Sequence, residues 1–355
     1  MQIAFLGLGQ IGGSVARAAT AAGFATRIAA WTPAGTGPRA ARVDGIVAAD
    51  SAAEAIRDAD LIVLAAPPLA CLELLDELAG PLSADLDPDA VITDVASTKA
   101  AIVAQARRHG LRFVGGHPMA GRETAGYQAA DPDLFRDRPW VIVAAEPADA
   151  AADGLVMDLA AACGARPLTL TADQHDGAVA SISHLPLLLS AALVEAMTDL
   201  PDWAIARGLA AGGWAGMTRL ARGDAAMAAG ILATNAAPTA DRLRALRAVL
   251  DDWLALLSDG SADPAVMDAR LSAAHDLAIS SDPRPVGTAG AAQAPRCRTS
   301  SSSSSRPPPL LPSSAGVWHG SASGPEARLT SRHSSEVRAR SVRDRRWRLI
   351  RPGSR

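Results

Sequence analysis

Cysteine is scarce in this chain: three occur, Cys71, Cys163 and Cys297, far apart and without ligand-type spacing. That argues against a disulfide framework and against a zinc or other metal site, and it fits a reducing compartment. Lysine is scarcer still. Lys99 is the single one, and every other long basic side chain is arginine. One lysine kept against such a bias makes its position worth explaining. No basic segment precedes an apolar core at the N-terminus, and no cleavage pattern is present there, so no secretory leader is expected and the cytoplasm is the expected location. The longest apolar run, 185–194, is short for a bilayer span and is followed by Glu195, so no membrane contact is expected.

Positive charge is also short over most of the chain. Residues 1–282 hold 20 basic against 34 acidic side chains, a poor footing for nucleic-acid binding. From Pro283 the balance reverses, to 14 arginines against 3 acids. That region has a serine run at 300–305, then Arg306 and three prolines, and no periodicity. This is a disordered composition. We read 283–355 as an extension without a function of its own, of the kind that out-of-frame translation of GC-rich DNA yields.

What is present is a regular alternation. Apolar runs at 2–6, 25–31, 61–66, 90–93, 111–114, 140–144 and 166–170 read as strands. Helical segments at 11–22, 52–58, 71–79, 99–108 and 155–163 separate most of them. Alternation of this kind implies an α/β domain over 1–170, a doubly wound parallel sheet. After Thr171 strand signals vanish. Helices are expected at 173–198, 203–220, 225–235, 239–258 and 264–279, an all-α second domain over 171–282. Leu243, Leu246, Val249 and Leu250 share one face of the fourth. These helices carry more apolar surface than a small domain buries, which favours a homodimer.

Gly7-Leu8-Gly9-Gln10-Ile11-Gly12 is a G-x-G-x-x-G sequence between a strand and a helix. The first glycine permits the tight turn, the second lets the backbone approach a pyrophosphate, and the third lets helix pack on sheet. The second strand ends at Trp31-Thr32-Pro33 without the acid that would hold a ribose 2′-hydroxyl. Thr32, with Arg39 or Arg42, suits a 2′-phosphate instead, so NADP is favoured over NAD. Pro67, closing the strand at 61–66, is placed on the cofactor side. Ser97 lies between a strand and the helix carrying Lys99. It is either an N-cap or a hydroxyl at the mouth of the sheet. His117, in Gly115-Gly116-His117-Pro118, is a titratable group on a stiff glycine-rich loop at a strand end, as proton transfer requires. His175 and His184 are nine apart, on opposite faces of a straight helix. We assign His184 a functional part and His175 a supporting one. Arg219, after Gly212-Gly213-Trp214-Ala215-Gly216, offers a fork for a carboxylate.

Taken together, GLGQIGGS at 7–14, TDVASTK at 93–99, GGHPMAGRE at 115–123, SHLP at 183–186 and the Arg219 region resemble the prephenate/arogenate dehydrogenase family of tyrosine biosynthesis. The resemblance runs from Met1 to about Ile279. It implies a Rossmann domain, a helical dimerisation domain, a homodimer, NAD or NADP, and oxidative decarboxylation of a cyclohexadienol. By motif match, His117 would accept the hydroxyl proton, with Ser97 beside it, and Arg219 would hold a substrate carboxylate. The chain departs from the family pattern at Leu187, where a second histidine is common, and at Arg122, where threonine is common. Both positions bear on what enters the pocket. Leu187 and the missing acid point to the arogenate, NADP-using type, with prephenate the close alternative. Two other readings stay open. A β-hydroxyacid-type dehydrogenase shares the domain plan but uses a lysine in its helical domain, where this chain has none. An inactive dinucleotide sensor would keep the glycine turn and lose the chemistry.

Overall fold

A computed structural model describes residues 1–121, 124–258 and 263–281. The first half is β1 (Gln2–Leu6), α1 (Gln10–Ala21), β2 (Arg27–Trp31), α2 (Thr36–Ala41), β3 (Val47–Ala48), α3 (Ala52–Ile56), β4 (Leu61–Leu64), α4 (Pro68–Ala79), β5 (Val91–Asp94), α5 (Ala100–Arg108), β6 (Phe113–Pro118), β7 (Pro139–Val143), α6 (Ala150–Ala162) and β8 (Arg166–Thr169). The strands form one sheet in the order β3-β2-β1-β4-β5-β6-β7-β8. The order reverses between β1 and β4, and that switch point is where open α/β sheets bind ligands.

Period-two alternation assigns the two faces. Ile3, Phe5, Leu61 and Val63 pack with α1 and α6 on one side, while Ala4, Leu6, Ile62 and Leu64 pack with α4 and α5 on the other. Both faces are covered, so β4 (Leu-Ile-Val-Leu) is buried throughout. Each such side chain contributes roughly 1.5–3 kcal/mol of burial. Two details differ from the sequence reading. The pair β6–β7 is antiparallel, and a two-residue strand, β3, joins at the edge beside β2. A strand that short carries no period to read.

The second half is helical: α7 (Ala172–Val179), a π-turn at Ala180–His184, α8 (Leu185–Thr198), α9 (Trp203–Leu209), α10 (Gly212–Met217), α11 (Ala225–Thr234), α12 (Ala236–Ser258) and α13 (Pro264–Ser281). The expected helix over 203–220 is broken into α9, α10 and a 3-10 turn at Leu220–Arg222. Gly208, Gly212 and Gly213 lower helix propensity there. Ala172–Thr198 as a whole is long and apolar enough to cross a membrane, a stretch longer than the 185–194 run read from the sequence. Its polar residues Asp176 and His184 are bonded instead to α5 and Asn235. The region 283–355 lies outside the described residues.

Candidate active site

The glycine turn has the geometry its sequence implies. Gly7 has φ +106°, and a Cβ there would sit 2.2 Å from the Ala65 carbonyl oxygen. A Cβ on Gly12 would meet the Ala65 side chain at 2.7 Å, whereas one on Gly9 would meet nothing within 4 Å. So the first and third glycines are required by packing, and the second faces open space. Gly7, Leu8, Gly9, Thr32 and Pro67 line a groove of about 390 Å³. The Thr32 hydroxyl is buried there with no protein partner among the described residues. An open backbone at a helix N-terminus and an unpaired hydroxyl at the end of β2 fit a dinucleotide. Gln10 and Ile11 begin α1, and the Gln10 amide donates to the Thr124 hydroxyl at 2.8 Å, tying the turn to the segment after β6.

His117 stands at the same edge of the sheet. It is not in a loop: β6 runs through Pro118, with His117 opposite Val141 of β7. Gly115 and Gly116 let this strand end pack closely, since a Cβ on Gly116 would lie 2.5 Å from the Asp94 carbonyl oxygen. The Asp94 carboxylate, at the end of β5, accepts from the Gly116 and Ala96 backbone N–H groups at 3.0 Å each. It also pairs with the Lys99 ammonium, and both side chains are fully buried. Burial pushes the Asp94 carboxyl up, and Lys99 pulls it back. The single lysine is therefore the counter-ion of a buried carboxylate that braces the histidine's strand.

The helical half closes over this edge. His117 Nδ1 and His175 Nε2 are 2.8 Å apart, and His175 Nδ1 lies 2.7 Å from Asp176 Oδ1. Asp176 also accepts the backbone N–H groups of Lys99 and Ala100, each at 2.8 Å. Helix α5 thus takes its cap from α7. Ser97 is not its N-cap, and among the described residues the Ser97 hydroxyl has no hydrogen-bond partner. Asn235 donates from its amide to the Asp176 carbonyl and to His184 Nδ1, both at 2.9 Å. Thr98 and Thr234 hydroxyls meet at 2.9 Å. Desolvation, then the neighbouring His175, Lys99 and His184, hold His117 well below the ordinary histidine range. Desolvation lowers His184 too, though Asp176 opposes it.

The π-turn explains how His175 and His184 both reach this cluster. It adds about one residue to the helical turn, rotating α8 by roughly 100° relative to a straight continuation of α7. The two histidines no longer oppose each other. His175, given only a supporting part from sequence, is the direct partner of His117. Asp176 and Asn235 were not singled out at all. In the sequence Ser97 stands as the candidate cap of α5, so nothing there points to a cap supplied from α7. His184 is fully enclosed rather than open to the site. Arg219 begins the 3-10 turn at Leu220–Arg222, is exposed, and is held near α8 by the Ala221 N–H on Ser190 Oγ at 2.9 Å. Arg122 lies outside the described residues.

Residues 15–169 match the family model described as prephenate dehydrogenase, nucleotide-binding domain, and 171–268 match prephenate dehydrogenase, dimerization domain. A prephenate dehydrogenase of Bacillus subtilis is 31% identical over 258 residues, 71% of this chain and 67% of that protein. The chain belongs to the prephenate dehydrogenase family. Another relative in this family, from Lactococcus lactis, is 33% identical over 211 residues, and the chain spans only 57% of that protein's length. Arogenate dehydrogenase of Synechocystis superimposes with a TM-score of 0.65 at 28% identity, covering 79% of this chain and 100% of that one. An Aquifex aeolicus prephenate dehydrogenase solved with hydroxyphenyl propionate and NAD+ superimposes with a TM-score of 0.70 at 23% identity, covering 79% and 98%, and shares the fold of this family member.

Proposed function

We propose that this chain oxidatively decarboxylates arogenate to tyrosine with NADP, with prephenate and NAD as the competing substrate and cofactor. The observation that carries the reading is His117. It stands at the carboxyl edge of the same sheet as the glycine turn, its Nδ1 occupied by His175 and its Nε2 left for a substrate. The reaction removes one proton from a ring hydroxyl and one hydride from the carbon that bears it, and loss of carbon dioxide leaves the ring aromatic. When bound, the nicotinamide supplies the hydride acceptor. His117 takes the hydroxyl proton, and its depressed basicity keeps it unprotonated and ready. Ser97 offers its free hydroxyl beside it. Arg219 holds a carboxylate of the substrate and Arg122 shapes the substrate side, while the enclosed His184 supports the site from behind through Asn235.

Cofactor choice rests on β2. No carboxylate ends it, and Arg39 folds back over Gly35 to donate to the Ala34 carbonyl at 2.7 Å, bringing positive charge to the turn after Thr32. That favours a 2′-phosphate. Substrate choice rests on Leu187, an apolar side chain on α8, and on the likeness to the Synechocystis arogenate enzyme. The helical half is proposed to pair with a second copy. Purified protein, assayed by nicotinamide absorbance with each of the four cofactor–substrate pairs, should turn over NADP with arogenate fastest. Cofactor binding without turnover of any pair would overturn the reading in favour of a sensor.

A further inference from the structure

Which nitrogen of His117 carries its proton decides whether it can act as a base. The far end of its hydrogen-bond chain fixes that choice. Asp176 receives two backbone N–H groups from the start of α5, Lys99 and Ala100, at 2.8 Å each. Backbone donors cannot reverse, and a helix N-terminus favours a negative charge. These bonds and His175 hold the Asp176 carboxyl below its usual range in spite of burial. A carboxylate has no proton to give, so His175 Nδ1, 2.7 Å away, must be the donor. A neutral imidazole has one N–H, which leaves His175 Nε2 an acceptor. The group facing it at 2.8 Å is His117 Nδ1, which must therefore donate.

We propose that Asp176 and His175 are positioning residues that fix His117 as the Nδ1–H tautomer, so that Nε2 presents its lone pair to the reacting hydroxyl. The inference rests on the reading of His117 as the base. Both residues come from α7, whereas His117 belongs to β6, so docking the helical half on the sheet is what makes the base competent. Uptake of the hydroxyl proton at Nε2 gives an imidazolium that still donates through Nδ1 to His175. One proton arrives and none needs to leave during the chemical step.

His175→Phe tests this. Asp176 keeps both backbone bonds to α5, whereas His117 Nδ1 loses the acceptor that holds its proton. Asp176→Asn would be a poorer test, because Lys99 N–H and His175 Nδ1 share Asp176 Oδ1 and an amide oxygen placed there keeps both bonds. We expect kcat to fall in His175→Phe, by up to the roughly 10²–10⁴ that a positioned base supplies. Substrate KM and cofactor affinity should stay within a few-fold. The direct readout is nitrogen NMR of the full chain labelled at histidine, near neutral pH. The His117 signal, assigned by its loss in His117→Asn, should show a protonated Nδ1 and a bare Nε2, and in His175→Phe the proton should no longer be confined to Nδ1. A protonated Nε2 in the unsubstituted protein overturns the proposal, as does a folded His175→Phe with unchanged kcat. If His175→Phe does not fold, the unsubstituted spectrum alone decides. That spectrum needs no substrate. A protein that turns over none of the four pairs yet shows Nδ1–H on His117 loses the proposed reaction and keeps this inference.

Discussion

His117 combines two properties that rarely coincide: access for a substrate and a strongly disfavoured charge. Its cationic form is disfavoured first by desolvation and then by the neighbouring His175, Lys99 and His184. A histidine so placed stays a free base while the pH falls through the ordinary value of about 6.5. For the free enzyme, kcat/KM should therefore hold across that pH and decline only below it. An acid limb centred at or above 6.5 would contradict the environment described. The same shift has a consequence for stability. His117 and His184 are neutral in the folded chain at pH values where the unfolded chain would protonate them, so unfolding takes up protons. Stability should then rise with pH up to about 6.5 and be lost as pH falls below it, and denaturant titrations on either side of that value measure the slope. His117→Asn should remove this part of the slope, lower kcat by about 10²–10⁴ and leave cofactor affinity nearly intact.

At the scale of the element, β6 shows how much of the site was legible in the sequence. The glycine turn was readable because its neighbours, β1 and α1, carry their own periods, and three glycines at fixed offsets have one physical use. The end of β6 was not, because Gly115-Gly116 looks like a loop when read alone. Only the approach of Asp94, whose carbonyl oxygen would lie 2.5 Å from a Cβ on Gly116, shows why a strand needs glycine there. Thr93 Oγ1 and Trp140 Nε1 would lie at 3.1 and 3.2 Å, so no side could yield cheaply. Gly116→Ala should cost about 1–3 kcal/mol by urea denaturation, the usual range for overpacking, and should lower kcat more than cofactor affinity because it moves His117. An unchanged denaturation midpoint would mean that β6 is looser than its packing implies. The π-turn was illegible for a different reason. Ala180-Ser181-Ile182-Ser183-His184 has ordinary helical composition, and its extra residue is set by where Asn235 holds His184 and where α5 holds Asp176.

At the scale of the molecule, the two halves differ in how they are covered. The sheet is enclosed on both faces, whereas the helical half leaves large apolar side chains in solvent. Leu243, Val249 and Leu250, expected on one apolar face of α12, are all exposed. Leu250, Leu254 and Leu257 are 52%, 62% and 60% exposed, and their spacing of four and three residues places them in one stripe. Ile205 and Leu209 on α9 and Leu271 and Leu277 on α13 are exposed as well. A monomer seldom carries apolar surface on this scale, and a stable interface removes roughly 800 Å² from each partner. The proposed homodimer, formed through these helices, would account for the stripe and for a helix as apolar as Ala172–Thr198 in a chain whose polar residues there face its own sheet domain. Light scattering on the purified protein should give twice the chain mass. The double substitution Leu250→Glu with Leu254→Glu should shift it to one chain mass, since paired carboxylates would be buried without partners. Both side chains are exposed and lie about four turns or more along the helix from Asn235, so the folded monomer should still bind cofactor. A protein that is monomeric without substitution, or a double variant that stays dimeric, would place the contact elsewhere than on α12.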